Sequence, residues 1–416
     1  MATVEPFAGL RYNPALCPDL SAVTAPPYDV IGPALHADLL AEPRNIVHVD
    51  LNPGDPATRY ETAAAILAGW CAEGVLVRDD QPALYVYEQQ YDWGGELLTR
   101  RSILARVRLE PLGTGHIHPH ERTFSGPKED RFRLTVATRC VLSQHLGVYP
   151  DTANEVIGLL AAATNRAPDM TARGRDGVLN RLWVVTDPAL HATVSAALAD
   201  RDIFIADGHH RYETMLRYRD HLAADGSLAD DHPAQYTSFV LVGSGDPGLC
   251  VMPTHRVVSG WPSDFGAVLA LPGFTATRLD LDPRDAEALE AAVAAWPVEA
   301  VGLLTRDGVT LLQPDPALLD RESADLTPAL RQLNVAVLHR LVLPRLETLG
   351  QPQIAYVHRV DEALAGLAEG AQAAFLLRAT PLEAVLDVAL AHELMPQKST
   401  YFYPKVLTGL VLYPVG

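Results

Sequence analysis

Ile203-Phe-Ile-Ala-Asp-Gly-His-His-Arg-Tyr-Glu-Thr-Met215 is the stretch on which the reading of this chain turns. Residues 203–206 are apolar and of strand length. Asp207-Gly208 is turn chemistry, and Tyr212, Met215 and Leu216 then recur at helical spacing. The pattern predicts a buried strand, a tight turn and a helix, with an acid, two histidines and an arginine packed into the turn. An α/β protein places its chemistry at such a point, where the end of a strand meets the N–H groups that open a helix. Gly208 lets the backbone approach a ligand, and Arg211 can fork onto phosphate oxygens. Asp207, of opposite charge, suits a metal ion or a hydroxyl proton.

Composition narrows the classes. The chain has 416 residues, 48% of them hydrophobic, so the expectation is two domains or one large elaborated domain. No apolar run approaches the roughly 20 residues that span a bilayer, and the start, Met1-Ala-Thr-Val-Glu-Pro, has no signal-peptide pattern. Four scattered cysteines without a CxxC argue against a zinc knuckle or a disulfide scaffold. A cytoplasmic protein is expected. The net charge of −18 argues against broad binding to nucleic acid or to anionic membrane. Only three of the 33 basic residues are lysines, Lys128, Lys398 and Lys405, and each lies in a segment rich in functional groups. A lysine kept in so arginine-rich a chain points to a place where a compact ammonium matters.

Strand-like and helix-like segments alternate, which predicts a mixed α/β (α+β) fold. Asn45–Leu51 reads as a strand and Pro56–Gly74 as a helix. Ala83–Glu88 and Ser102–Val107 read as a hairpin about Gly94-Gly95, and Lys128–Leu146 as a helix. Leu182–Thr186 and Ser238–Val242 read as core strands. Residues 1–261 form the expected catalytic region and 262–390 an accessory α/β subdomain with helices near 284–296, 328–346 and 361–370. Residues 391–416 are expected to return to the catalytic region.

Further clusters carry polar chemistry. In His116-Ile-His-Pro-His-Glu-Arg-Thr-Phe-Ser-Gly-Pro-Lys-Glu-Asp-Arg131, three histidines alternate, but Pro119 breaks any ladder and convergence on one ion is hard. Glu121 and Arg122 read as a bend, and Ser125–Lys128 as a loop into a helix. Tyr28 and Asp29 are pinned by Pro26-Pro27. Thr254, His255 and Arg256 open a strand, and Lys398, Ser399 and Thr400 adjoin three aromatic residues. There is no GxxxxGK[ST] loop. The GxGxxG at 243–248 precedes a strand rather than a helix, so it reads as a hairpin turn.

Taken together, Ala25–Ile31, Asn45–Leu51, His120–Arg131, Ala206–Thr214, Met252–Arg256 and Lys398–Lys405 closely resemble domain-of-unknown-function family 1015. The Asp-Gly-His-His-Arg block also looks like the nucleotide loop of the ParB/sulfiredoxin-like superfamily, which includes free-serine kinases. The resemblance implies a ParB/sulfiredoxin-like core, ATP (or ADP) with Mg2+, and phosphoryl transfer to the hydroxyl of a small metabolite such as free L-serine. Sulfiredoxin chemistry fits poorly, since a histidine stands where that loop has cysteine.

On this reading Gly208, His209, His210, Arg211 and Ser125 hold the nucleotide, and Lys128 and Arg122 neutralise the transferred group. Glu121 or Asp207 takes the hydroxyl proton, with Asp207 also the candidate metal ligand. Asp29, Tyr28, Arg256, Lys398, Ser399 and Thr400 bind the acceptor. The dense polar segments 119–131, 207–211, 252–256 and 396–401 are expected to share one cleft. Partners are a nucleotide and a small molecule, with no nucleic acid and no membrane, and a homodimer is allowed. The competing readings are a metal-dependent phosphohydrolase and a non-catalytic nucleotide sensor.

Overall fold

The computed structural model describes every residue except Phe124, Ser263 and Asp264, and the side chains of all but those three, 125–127 and 347–349. The chain is mixed α/β and divides into two compact units. The first comprises Met1–Pro119, Thr123–Cys250 and Pro404–Gly416; the second comprises His120–Arg122 and Val251–Tyr403. The division falls after Cys250, eleven residues before the expected boundary, and the return to the first unit comes at Pro404 rather than at 391.

The first unit is built on a nine-stranded sheet. Its order runs Ile117–His118, Ile203–Asp207, His145–Tyr149, Tyr236–Gly243, Glu96–Arg108, Leu84–Trp93, Leu179–Val185, Met170–Arg173, with Val4–Glu5 beside the Glu96–Arg108 strand. Most pairs are antiparallel. Ile203–Asp207 runs parallel to Ile117–His118, and His145–Tyr149 parallel to Tyr236–Gly243. The strand Tyr236–Gly243 is buried along its whole length, as continuous apolar runs in central strands are. The hairpin about Gly94-Gly95 is present, and both glycines have positive φ, as a tight two-residue turn requires.

Two elements depart from the sequence reading. Asn45–Leu51 is not a strand: Val47–Asp50 is a short helix. The Asn45 side chain accepts from the Val47 N–H at 2.9 Å and donates to the carbonyls of Ala22 and Thr24. This local alternative overrides the β preference of Ile and Val. The helix expected over Lys128–Leu146 runs Ser125–Thr138 and stops at Arg139, which has φ +49°. The chain then enters the strand His145–Tyr149. The turn at 243–248 joins strands with different partners, so it is not a hairpin.

The second unit has a six-stranded, fully antiparallel sheet in the order Phe274–Leu279, Gly308–Pro314, Val301–Thr305, Ala373–Leu377, His255–Ser259, Gln353–Val357. Helices Ala286–Ala295 and Val360–Ala368 pack on it through Leu289, Val293, Val360 and Leu367. The helix expected over 328–346 is present in two pieces, Pro328–Arg331 and a continuous run from Asn334 that passes from α through π to 3-10 geometry and ends at Leu349.

Candidate functional site

The strand Ile203–Asp207 ends where the 16-residue helix His209–Ala224 begins, as the sequence predicts. A register shift between Ile205 and Asp207 breaks the ladder at the last residue. Such irregularities re-aim side chains at the ends of strands. Gly208 is the residue before the helix, with φ +97°. A Cβ there would lie 3.0 Å from His145 Nδ1 and 3.1 Å from the Arg211 guanidinium carbon. Glycine is required at this position for both reasons.

Asp207 is held by two cations. Lys405 Nζ reaches one carboxylate oxygen at 2.5 Å, and Arg211 donates to the other. The Arg211 guanidinium also donates to the Gln144 carbonyl. Burial alone would raise the Asp207 pKa, but Lys405 and Arg211 overrule it and hold the carboxyl well below the usual range. Asp207 is therefore a fixed anion and a poor proton acceptor. Both its oxygens are engaged, so the expected metal-ligand role does not fit this arrangement. The group carries two positive charges and one negative, at a helix start that favours anions.

Lys405 was not among the site residues expected from sequence, although its rarity as a lysine was the available signal. Its carbonyl accepts from Gln89 Nε2 at 2.9 Å, which ties it to the Leu84–Trp93 strand.

Behind this turn lies a cavity of about 30 Å3, lined by Tyr28, Asp50, Arg131, His145, Arg211 and Thr214. It has room for about two waters. Arg131 is buried and donates to the Asp50 carboxylate at 3.0 Å, while Tyr28 lies 4.3 Å beneath its guanidinium. Burial pushes Tyr28 up to about 12. Burial, aided by Arg211, pushes His145 down to about 3, so its ring is neutral; its Nε2 meets the Thr237 hydroxyl at 2.8 Å. Tyr28, expected to bind the acceptor, lines this cavity together with Asp50, Arg131 and His145, which were not among the expected site residues. Asp29 is exposed beside Tyr28.

Lys128 stands on the helix Ser125–Thr138 and meets a different face of the helix His209–Ala224. Its Nζ lies 2.5 Å from the Glu213 carboxylate and 3.0 Å from the Thr123 hydroxyl. Positions 211 and 213 point about 160° apart around a helix. The ammonium beside Asp207 is that of Lys405, not Lys128. His116 and His118 both approach Asp202, at 2.7 and 3.3 Å. Among the described residues no cluster of three metal-ligating side chains occurs. The side chain of Ser125 lies outside the described residues.

The second unit holds the other expected residues, and most of them serve its backbone. Lys398 is exposed, with φ +55°. Its N–H donates to Glu121 Oε1 at 3.0 Å, and its carbonyl accepts from Arg256 at 3.0 Å. Arg256 is fully buried and also donates to the Thr254 carbonyl; burial pushes its pKa down to about 10. It organises the Lys398 segment and offers no free face to a ligand carboxylate, which corrects its expected role. The Ser399 hydroxyl donates to the Pro396 carbonyl, and the Thr400 hydroxyl meets His120 Nε2 at 2.9 Å. Arg122 is exposed, and its carbonyl accepts from Gln397.

The family model described as a protein of unknown function, DUF1015, matches residues 4–336. The chain belongs to this family. No curated protein matches it in sequence. Among solved structures it is similar to a point mutant of free serine kinase in complex with ADP, at 13% identity and a TM-score of 0.36, over 71% of this chain and 89% of that one. SbnI with a C-terminal truncation, from Staphylococcus aureus, aligns at 13% identity and 0.37, over 74% of this chain and 86% of that one. A conserved hypothetical protein from Pyrococcus furiosus aligns at 15% and 0.35, over 71% and 92%.

Proposed function

We propose that this chain is a nucleotide-dependent phosphotransferase that acts on the hydroxyl of a small metabolite, free L-serine being the first acceptor to test. The observation that carries the reading is the Asp207–Arg211 turn: a positive-φ glycine, a helix start, and two cations balanced by one carboxylate. Phosphoryl transfer depends on positioning and charge neutralisation, and this group supplies both. The Gly208–Arg211 backbone receives the phosphates of ATP or ADP, and Arg211 and Lys405 turn from Asp207 toward their oxygens. The sequence resemblance to nucleotide loops of the ParB/sulfiredoxin-like superfamily supports the same assignment.

Mg2+ in such reactions is commonly held by substrate phosphates and one or two carboxylates. Among the described residues no cluster of three metal-ligating side chains occurs, so the residues fit a magnesium ion carried on the nucleotide better than one caged by protein. Lys405 and Arg211 hold Asp207 low before the nucleotide binds, so Glu121 is the first proton acceptor to test, with Asp207 the alternative once those cations have turned to the phosphates.

Calorimetry with ATP and ADP tests the loop. Arg211→Ala is expected to remain folded and to weaken nucleotide binding by about 1.5–3 kcal/mol, the range for a charged hydrogen bond. Unchanged affinity in the folded variant removes the loop from the site. Incubation with ATP, Mg2+ and an amino-acid mixture, followed by mass spectrometry, identifies the acceptor.

A further inference from the structure

The largest cavity among those described is not at the phosphate loop. It is a groove of about 590 Å3 in the first unit, four strands along the sheet from Asp207, or roughly 19 Å at the usual strand spacing. Its volume lies within the range of small-molecule sites, whereas the cavity behind Arg211 measures only about 30 Å3.

Strand register builds its floor. Glu88 stands opposite Arg101 on one neighbouring strand and opposite Arg181 on the other. Two residues back, Val86 stands opposite Trp183. Side chains two apart share a face, so these five residues form one patch on the sheet, while Tyr87 and Leu182 point into the core. The segment with the helical turns Glu155–Gly158 and Ala161–Thr164 forms the other wall through Ile157, Leu160 and Ala161. That wall does not fill the space above the patch.

The chemistry is divided along the groove. At one end Glu88 accepts from Arg181 at 2.7 Å and from Arg101 Nε at 3.1 Å. Two guanidinium groups share the Glu88 carboxylate, and Asp246, whose carboxylate accepts from the Arg101 backbone N–H at 3.0 Å, is the other anion close by. Arg101 lines the groove, more than half of its side chain is exposed, and its hydrogen bond to Glu88 is made by Nε, which leaves the two Nη groups for a ligand. At the other end Trp183, 6% exposed, has its indole N–H satisfied by the Arg166 carbonyl at 2.9 Å, so the small part of it that reaches the groove is apolar, and Ile157 and Ala161 add to that end from the opposite wall. A cationic fork beside an aromatic and aliphatic floor is the arrangement that recognises an organic anion with a flat apolar body.

We propose that this groove is a second ligand site, for a small amphipathic carboxylate whose charge is taken by Arg101 and whose body lies along Ile157 and Ala161 beside Trp183. It is independent of the phosphotransferase reading, because none of its residues belongs to the phosphate loop.

The probe is naphthalene-2-acetate, titrated calorimetrically against the full chain, with 2-(2-naphthyl)ethanol as a neutral control of similar shape. The acid is expected to bind and the alcohol to bind at least about tenfold more weakly, the effect of losing a charged hydrogen bond. Arg101→Ala, at an exposed position that leaves the core untouched, is expected to weaken the acid by a similar factor. Ala161→Trp, which occupies the groove from the opposite wall, is expected to abolish binding, and Arg211→Ala to leave it unchanged. The proposal is overturned if the acid does not bind, if the alcohol binds as well, if Arg101→Ala has no effect, or if Arg211→Ala removes binding.

Discussion

The pair Lys405–Asp207 offers a sharp energetic test. Both side chains are mostly buried, at 11% and 18% exposure, and their charges lie 2.5 Å apart. Replacing Lys405 with Met deprives the carboxylate of one of its two cations but leaves Arg211 in place. Breaking a buried pair typically costs about 3–5 kcal/mol. The surviving arginine sets the expectation at the lower end, about 3 kcal/mol. Asp207→Asn relieves the stranded charge, so the double variant is expected to be less destabilised than the sum of the singles, with a coupling energy of about 2 kcal/mol. Urea denaturation of the wild type, both single variants and the double variant closes the cycle. A coupling below about 0.5 kcal/mol, the ordinary limit of additivity, would show that Lys405 is not the counterion of Asp207 and would refute the description of this turn.

Three further outcomes follow from the geometry. Gly208→Ala is expected to lower stability by about 1–2 kcal/mol, because its φ of +97° is unfavourable for a residue with a Cβ; an unchanged melting temperature counts against it. His145, held near 3 by burial and Arg211, binds no proton in the folded state between pH 7.5 and 5.5, whereas the unfolded chain does. Stability should fall by about 1.4 kcal/mol over that interval on its account, a loss that His145→Gln removes; equal acid sensitivity of the two proteins refutes it. Glu121→Gln is expected to lower kcat at least about a hundredfold while nucleotide affinity changes only a few-fold, and near-normal turnover would take the base role away from it.

What the sequence disclosed, and what it hid, follow from the range of the interactions involved. The strand, turn and helix at 203–224 were legible because hydrophobic spacing and Gly208 are local signals. The Gly94-Gly95 hairpin was legible for the same reason. Val47–Asp50 was misread because one side chain, Asn45, outcompeted the β preference of its neighbours through contacts with residues more than 20 positions away. Lys405 was flagged only by the scarcity of lysine, since nothing near it in sequence announces a partner at position 207. Lys128 and Arg256 looked like ligand-facing cations, yet their partners, Glu213 and the carbonyls of Thr254 and Lys398, are internal. The patch of Val86, Glu88, Arg101, Arg181 and Trp183 depends on the register of three strands, which no local pattern encodes.

In the proposed phosphate-binding role of this turn, Asp207 acts as a tethered rival to any incoming anion. Because it is part of the chain, its effective concentration beside Arg211 and Lys405 stays high however dilute the ligand is. A simple monoanion such as chloride offers those two cations no more than they already have. An oxyanion with several charged oxygens can engage the arginine, the lysine and the helix-start N–H groups together, and only that combination displaces the resident carboxylate. A turn in that role would thereby be selective against the commonest ions in its surroundings before any substrate is chosen.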